Sequence, residues 1–242
     1  MVAVAAAGAF VQRVTGFGFA IFTMIFLTML LPSYGEANLL AGFLSMTTTC
    51  FVAWNNRKHI QWKKVILLFL PQMVFMLLAV RWMKNISDSS QKTMNIILGS
   101  VLLLLSIWFL FVVKRVHVKE TPVVGLICGS VSGIMAGMFS MGGPPIAFYL
   151  LETSKSDKLV YLATIQTYFF FTNVYGTVVK SLNGYMTRTV LIFAAAGVVG
   201  MFLGTVVGKK VFSKLNAGLL RTIVYAFMGI SGIVNIVTAL LK

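Results

Sequence analysis

Acid is scarce in this chain, with 5 Asp+Glu against 20 Lys+Arg in 242 residues. All five acids, Glu36, Asp88, Glu120, Glu152 and Asp157, sit in or beside the polar links between apolar runs. No deep carboxylate is therefore on hand as a proton relay or sodium ligand. Coupling to an ion would have to use the substrate's own protonation, backbone carbonyls, or Glu36 and Glu152 at span ends. Cysteine is equally sparse. Cys50 and Cys128 lie in separate apolar runs with no CxxC or Cys/His grouping, and read as small core or lipid-facing residues rather than ligands or a disulfide. His59 and His117 fall in basic links and read as solvated flank residues. There is no Walker loop and no Ser/His/Asp or Cys/His set, so ATP hydrolysis and enzyme chemistry lack support, and no cofactor or metal is expected.

Apolar residues are what the chain has instead. They make up 59%, with only 10% charged, more than a soluble chain of this length could bury around one core. The lipid bilayer must solvate the rest. A net charge of +15 could suggest nucleic acid, but the basic residues fall in short clusters between apolar runs and read as the cytoplasmic flanks of membrane spans. Met1 to Phe10 has no basic leader and runs straight into a longer apolar span, so the first segment is expected to direct insertion itself. Runs long enough to span occur near 2 to 31, 37 to 54, 64 to 83, 93 to 113, 122 to 151, 159 to 179, 189 to 208 and 220 to 241. They form two sets of four, a first repeat over 1–113 and a second over 122–242, joined by the polar linker 114–121. The expectation is an all-α polytopic membrane protein.

The two sets carry the same punctuation. Val11-Gln12-Arg13-Val14-Thr15-Gly16-Phe17-Gly18-Phe19 and Gly137-Met138-Phe139-Ser140-Met141-Gly142-Gly143-Pro144-Pro145 place helix breakers inside apolar segments about 124 positions apart. In lipid, backbone groups freed by such a break must be satisfied by protein, trapped water or a ligand. Paired interrupted helices at matching positions point to a transporter binding site near the bilayer midplane. Each interrupted segment is about 30 residues, long enough for two half-length helices. If each dips in and returns to its own side, Arg57, Lys58, Lys63, Lys64, Lys114, Arg115, Lys119, Lys155, Lys158, Lys209, Lys210, Lys214 and Arg221 share one face. Arg81, Lys84, Lys92, Lys180, Arg188 and Lys242 are left on the other. That charge bias favours re-entrant hairpins over kinked crossings, and three full crossings per repeat then make the repeats inverted.

The paired signatures Thr15-Gly16-Phe17-Gly18-Phe19-Ala20 and Met141-Gly142-Gly143-Pro144-Pro145 resemble those of the TauE/SafE family of sulfite and organosulfur-anion exporters, also called the toluene sulfonate uptake permease type. The resemblance covers the whole chain. The first signature departs from the family's fuller glycine run at Phe19 and Ala20, the second at Pro144 and Pro145. The resemblance implies a secondary transporter, in most members an exporter, of sulfite, sulfonates, sulfoacetate or related small anions. It also implies a multi-pass protein of a bacterial or archaeal cell membrane, and a homo-oligomer is compatible with it.

The residues agree with an anion. A helix restarting after Gly18 or Gly143 turns N–H groups and the positive dipole end toward the break. Pro144 and Pro145 suit a first turn, where N–H groups have no helical partner. Glycines at Gly16, Gly18, Gly142 and Gly143 would also serve close helix packing, but duplication beside prolines points to a site. Arg13 is the basic residue that reads as lying well inside a span, and it either faces a cavity or reaches back to the surface. Gln12, Thr15, Thr49, Ser140, Gln166 and Asn173 complete the candidate substrate-binding set, Thr49 and Asn173 matching at the same offset as the breaks. Threonine and serine hydroxyls often only bond their own helix. Pro71 is expected to kink the third run, with Gln72 satisfying freed backbone. Trp54, Trp62, Trp82 and Trp108 mark span ends, and Phe169-Phe170-Phe171 reads as packing or lipid contact. Two further readings use the same features, a passive anion channel and a membrane scaffold without solute.

Overall fold

The computed structural model describes residues 1–15, 18–112, 120–153, 157–212 and 217–241, and among these residues every regular element is helical. In chain order they are α1 (Val2–Thr15), α2 (Phe19–Leu30), α3 (Tyr34–Asn55), α4 (Trp62–Ser89), α5 (Gln91–Ile107), α6 (Pro122–Phe139), α7 (Gly143–Thr153), α8 (Lys158–Leu182), α9 (Arg188–Phe212) and α10 (Ala217–Leu241). Both expected breaks occur, between α1 and α2 and between α6 and α7. Polar caps start the helices that follow links. Ser90 accepts from the Thr93 N–H, Thr121 from Val124 with Pro122 in the first turn, and Asp157 from Leu159 and Val160.

Among the described residues five helices are long and apolar enough to cross a membrane: Tyr34–Asn55, Trp62–Ser87, Gln91–Phe111, Pro122–Phe139 and Arg188–Val206. The outer surface is lipid-like. Leu104, Phe111, Val123, Phe202 and Ile230 are all exposed, as expected where acyl chains replace water. α8 is long enough but less apolar, because Gln166, Thr167, Thr172, Asn173 and Lys180 line its inner side.

The two interrupted segments are hairpins. A straight run from Gly8 to Thr23 would separate them by about 22 Å, yet a side chain at Gly8 would strike Thr23 and Phe19. In the second segment Ser132 bonds Gly142, and Gly125 lies beside the Tyr149 hydroxyl. The ends of that hairpin meet at one lysine. Lys64 Nζ lies 2.8 Å from Glu120 Oε1 and donates to the Thr153 carbonyl at 2.6 Å, so the start of α6 and the end of α7 emerge together beside the start of α4.

Exchanging α1–α5 for α6–α10 maps the main packing onto itself. α1 lies along α9 as α6 lies along α4, while α3 pairs with α8 and α5 with α10. The last two pairs run antiparallel. Ser45 meets Asn173 while Asn38 meets Lys180, and Gly99 meets Gly232 while Lys92 reaches the Leu240 carbonyl. Without a hydrophobic drive between helices, such seams need close backbone approach. Gly129, Gly133 and Gly137 of α6 supply it against the α4 backbone, and Gly200 and Gly204 of α9 supply it against Val2 and Ala6. Pro71 lies inside α4, and Gln72 bonds side chains rather than the freed backbone: its Nε2 donates to Met76 Sδ at 3.7 Å and its Oε1 accepts from the Thr172 hydroxyl of α8 at 3.1 Å.

Candidate functional site

Both hairpin tips open into one cavity. Gly18, Phe19, Ala20 and Ile21 line it from the start of α2, and Ser140, Met141, Gly142 and Gly143 from the turn into α7. α3 contributes Leu39, Gly42 and Ser45, α4 contributes Met76, α6 contributes Ala136, and α1 contributes Gln12. α8 lends a stripe at helical spacing: Phe169, Thr172, Asn173, Gly176, Thr177 and Lys180.

The tips differ in how they turn. Gly18 holds φ 110°, a left-handed conformation that suits glycine, and no side chain caps the helix that follows. The N–H groups of Phe19, Ala20 and Ile21 therefore begin a helix without helical acceptors, at a cavity wall. The second tip turns at Ser140, a non-glycine residue at φ 55°. Its amide closes on the Ala136 carbonyl and that of Met141 on the Met135 carbonyl, which finishes α6. Ser132 Oγ donates to the Gly142 carbonyl at 2.6 Å and shares a 2.8 Å hydrogen bond with the Tyr168 hydroxyl. In a trans peptide the C=O and N–H point opposite ways, so anchoring the Gly142 carbonyl toward α6 turns the Gly143 N–H away from α6. Two helix N-termini thus present amide donors and positive dipole ends to one space, an arrangement suited to a small anion.

A buried polar knot fixes the second tip. Asn38 Nδ2 donates to the Gly137 and Met138 carbonyls at 2.8 and 2.9 Å, and the Ser140 hydroxyl donates to the Asn38 carbonyl at 2.7 Å. Lys180, 2% exposed, donates to Asn38 Oδ1 at 2.8 Å, Ser140 Oγ at 2.7 Å and the Ala136 carbonyl at 3.2 Å. All three acceptors are neutral. Among the described residues the ion pair is Lys64 with Glu120, and no acid partners Lys180.

Of the residues singled out from sequence, Gln12, Gly18, Ser140, Gly142, Gly143 and Asn173 line the cavity. Gln12 Oε1 accepts from Thr48 at 2.8 Å, and Asn173 donates to Ser45 Oγ at 3.2 Å. Thr49, Pro144 and Gln166 are buried but are not among the lining residues, and the Thr49 hydroxyl bonds the Ser45 and Met46 carbonyls of its own helix. The side chains of Arg13 and Thr15, and the whole of Gly16, lie outside the described residues. Lys180 and Asn38 were not foreseen. The reading that placed Lys180 among the surface flanks is corrected by its burial. The available signal was the spacing Asn173, Gly176, Lys180, one face of a helix. Phe169 likewise lines the cavity, while Phe171 packs against Trp62 and Phe69 as expected of a structural ring.

A family model described as sulfite exporter TauE/SafE matches residues 1–234. The chain is 21% identical over 205 residues to the "Probable sulfite/organosulfonate exporter TauE" of Cupriavidus necator, an alignment covering 84% of this chain and 80% of that protein. No solved structure matches. With two hairpin tips meeting at one cavity and a family match over nearly its full length, the chain belongs to the TauE/SafE family, a family of membrane exporters rather than enzymes.

Proposed function

We propose that the chain is a secondary transporter that exports small sulfur-containing anions, such as sulfite or a sulfonate, by alternating access between two inverted repeats, 1–113 and 122–242, in a bacterial or archaeal cell membrane. The observation that carries this reading is the convergence of both breaks on one cavity. Amide donors from two helix N-termini, with no acidic side chain among the lining residues, favour an oxyanion over a cation. Similarity to the probable sulfite/organosulfonate exporter of Cupriavidus necator supplies the sulfur chemistry. The inverted arrangement is supported by α3 against α8 and α5 against α10. These are corresponding helices, and they run antiparallel, as an axis in the membrane plane requires. Within the candidate set, Gln12, Gly18, Ser140, Gly142, Gly143 and Asn173 are the proposed contacts. Gln12 and Asn173 orient the anion, and the remaining four supply backbone donors and turn geometry.

The test is flux in proteoliposomes loaded with sulfite, methanesulfonate or thiosulfate, with and without a pH gradient. Saturable efflux of a sulfur anion is the expected result. Efflux that stays linear with concentration would indicate a pore, and no efflux of any of the three would overturn the substrate class. Topology has its own test, since cysteines introduced at Lys64 and Lys155 should label from the same side of the membrane.

A further inference from the structure

We propose that Lys180 carries the fixed positive charge that pairs with the transported anion, and that the same ammonium holds the second hairpin tip against α3 and α8. The inference rests on the reading of the cavity as an anion site. It names the charged residue of that site, which neither the sequence motifs nor the family match assigns.

The geometry accommodates an ammonium. Three acceptors surround Nζ, namely Asn38 Oδ1, Ser140 Oγ and the Ala136 carbonyl. The Asn38 carbonyl lies 2.7 Å from Ser140 Oγ as an acceptor for its hydroxyl, which leaves the Ser140 oxygen able to receive from Lys180. Three acceptors take three N–H bonds, which an ammonium has and a neutral amine lacks. Neutral acceptors spread the charge without cancelling it, and among the described residues no carboxylate lies within ion-pair distance of it. A charge taken out of water and left without a counter-ion is costly unless something else compensates it. Part of the compensation is the negative end of α6, whose last carbonyls, Ala136 to Met138, are gathered by Lys180 and Asn38. The rest is available from the cavity, which Lys180 and Ser140 both line. An anion seated between the two N-termini would meet amide dipoles from α2 and α7 and a full charge from α8.

The tie and the charge are one group, so occupancy of the cavity and attachment of the tip are linked. An anion that draws on the ammonium competes with the α6 carbonyls for it. Ligand binding thereby bears on the hairpin that has to move if access alternates.

The experiment uses the full chain purified in detergent and follows thermal unfolding with increasing sulfite, methanesulfonate, sulfate or chloride, and with dimethyl sulfone as an uncharged control. The wild type should be stabilised by at least one sulfur anion and not by the sulfone. Lys180→Met should weaken that anion by about thirtyfold or more, whereas Lys180→Arg should stay within about tenfold. Asn38→Ala separates the two roles. It should lower the melting temperature without ligand yet keep the anion-dependent rise, because the charge remains. An undiminished anion response in Lys180→Met would overturn the inference, and so would equal loss of response in Asn38→Ala, which would make Lys180 a helix cap only. Stabilisation by chloride alone would refute the sulfur substrate class while leaving the charge assignment supported if Lys180→Met abolishes it. A wild type indifferent to every anion overturns both. Should Lys180→Met fail to fold, Lys180→Gln, which keeps a donor without the charge, carries the same expectation.

Discussion

The two hairpins serve corresponding places in the packing but are built by different means. The first turns at a left-handed glycine and is held by shape, with Gly8 against Thr23 and Phe19 and α1 laid on the glycines of α9. The second turns at a left-handed serine and is held by chemistry, through Asn38, Lys180 and Ser132. A glycine turn costs little to bend and little to straighten. A serine turn at φ 55° needs its surroundings to hold it, and the knot around Ser140 does so. The contrast suggests a division of labour in which the second hairpin is the locked element and the first the compliant one.

The largest effect should come from unseating the second hairpin. A Cβ at Gly133 would lie 2.6 Å from the Gln72 carbonyl of α4, so Gly133→Leu is expected to cost about 3 kcal/mol or more and to remove folded protein from size-exclusion profiles. Next is the knot. Asn38→Ala leaves Lys180 short of an acceptor and the Gly137 and Met138 carbonyls unserved, a loss of roughly 3 kcal/mol that denaturation in mild detergent would read. Ser132→Ala should cost about 1 kcal/mol and weaken anion binding several-fold, because the Gly142–Gly143 peptide loses its anchor. Equal affinity in that variant would show that the Gly143 N–H is not a donor to the ligand. At the compliant hairpin, Thr48→Val removes the bond to Gln12 together with the hydroxyl's bond to the Ser45 carbonyl of its own helix, and should cost under about 1 kcal/mol. If Thr48→Val proved as damaging as Asn38→Ala, the contrast between locked and compliant tips would be lost.

Much of this was legible in the sequence because lipid makes punctuation expensive. Glycine and proline inside an apolar run of about 30 residues have few explanations, and both breaks fall where they were expected. The length of each interrupted run, enough for two half-length helices, fits the hairpins that the contacts of Lys64 and Gly8 display. The knot was not legible. Lys180 sits two residues from the end of α8 and beside a polar turn, where a lysine normally flanks a span. Only the partner helix reveals that α3 begins there with Asn38 facing inward. Thr49 illustrates the opposite limit. Its offset from Asn173 matched the repeat, but a hydroxyl on a helix has its own carbonyls within reach, and those took it.

If both tips bound one anion-binding space, substrate should protect one residue from each tip against modification. With Cys50 and Cys128 replaced, Ile21→Cys and Met141→Cys would each be labelled with a small maleimide while methanesulfonate is titrated. Both positions line the cavity from opposite hairpins. Both cysteines should be protected with the same half-maximal concentration. Protection of one with undiminished labelling of the other, or different concentrations for the two, would contradict a shared anion-binding space.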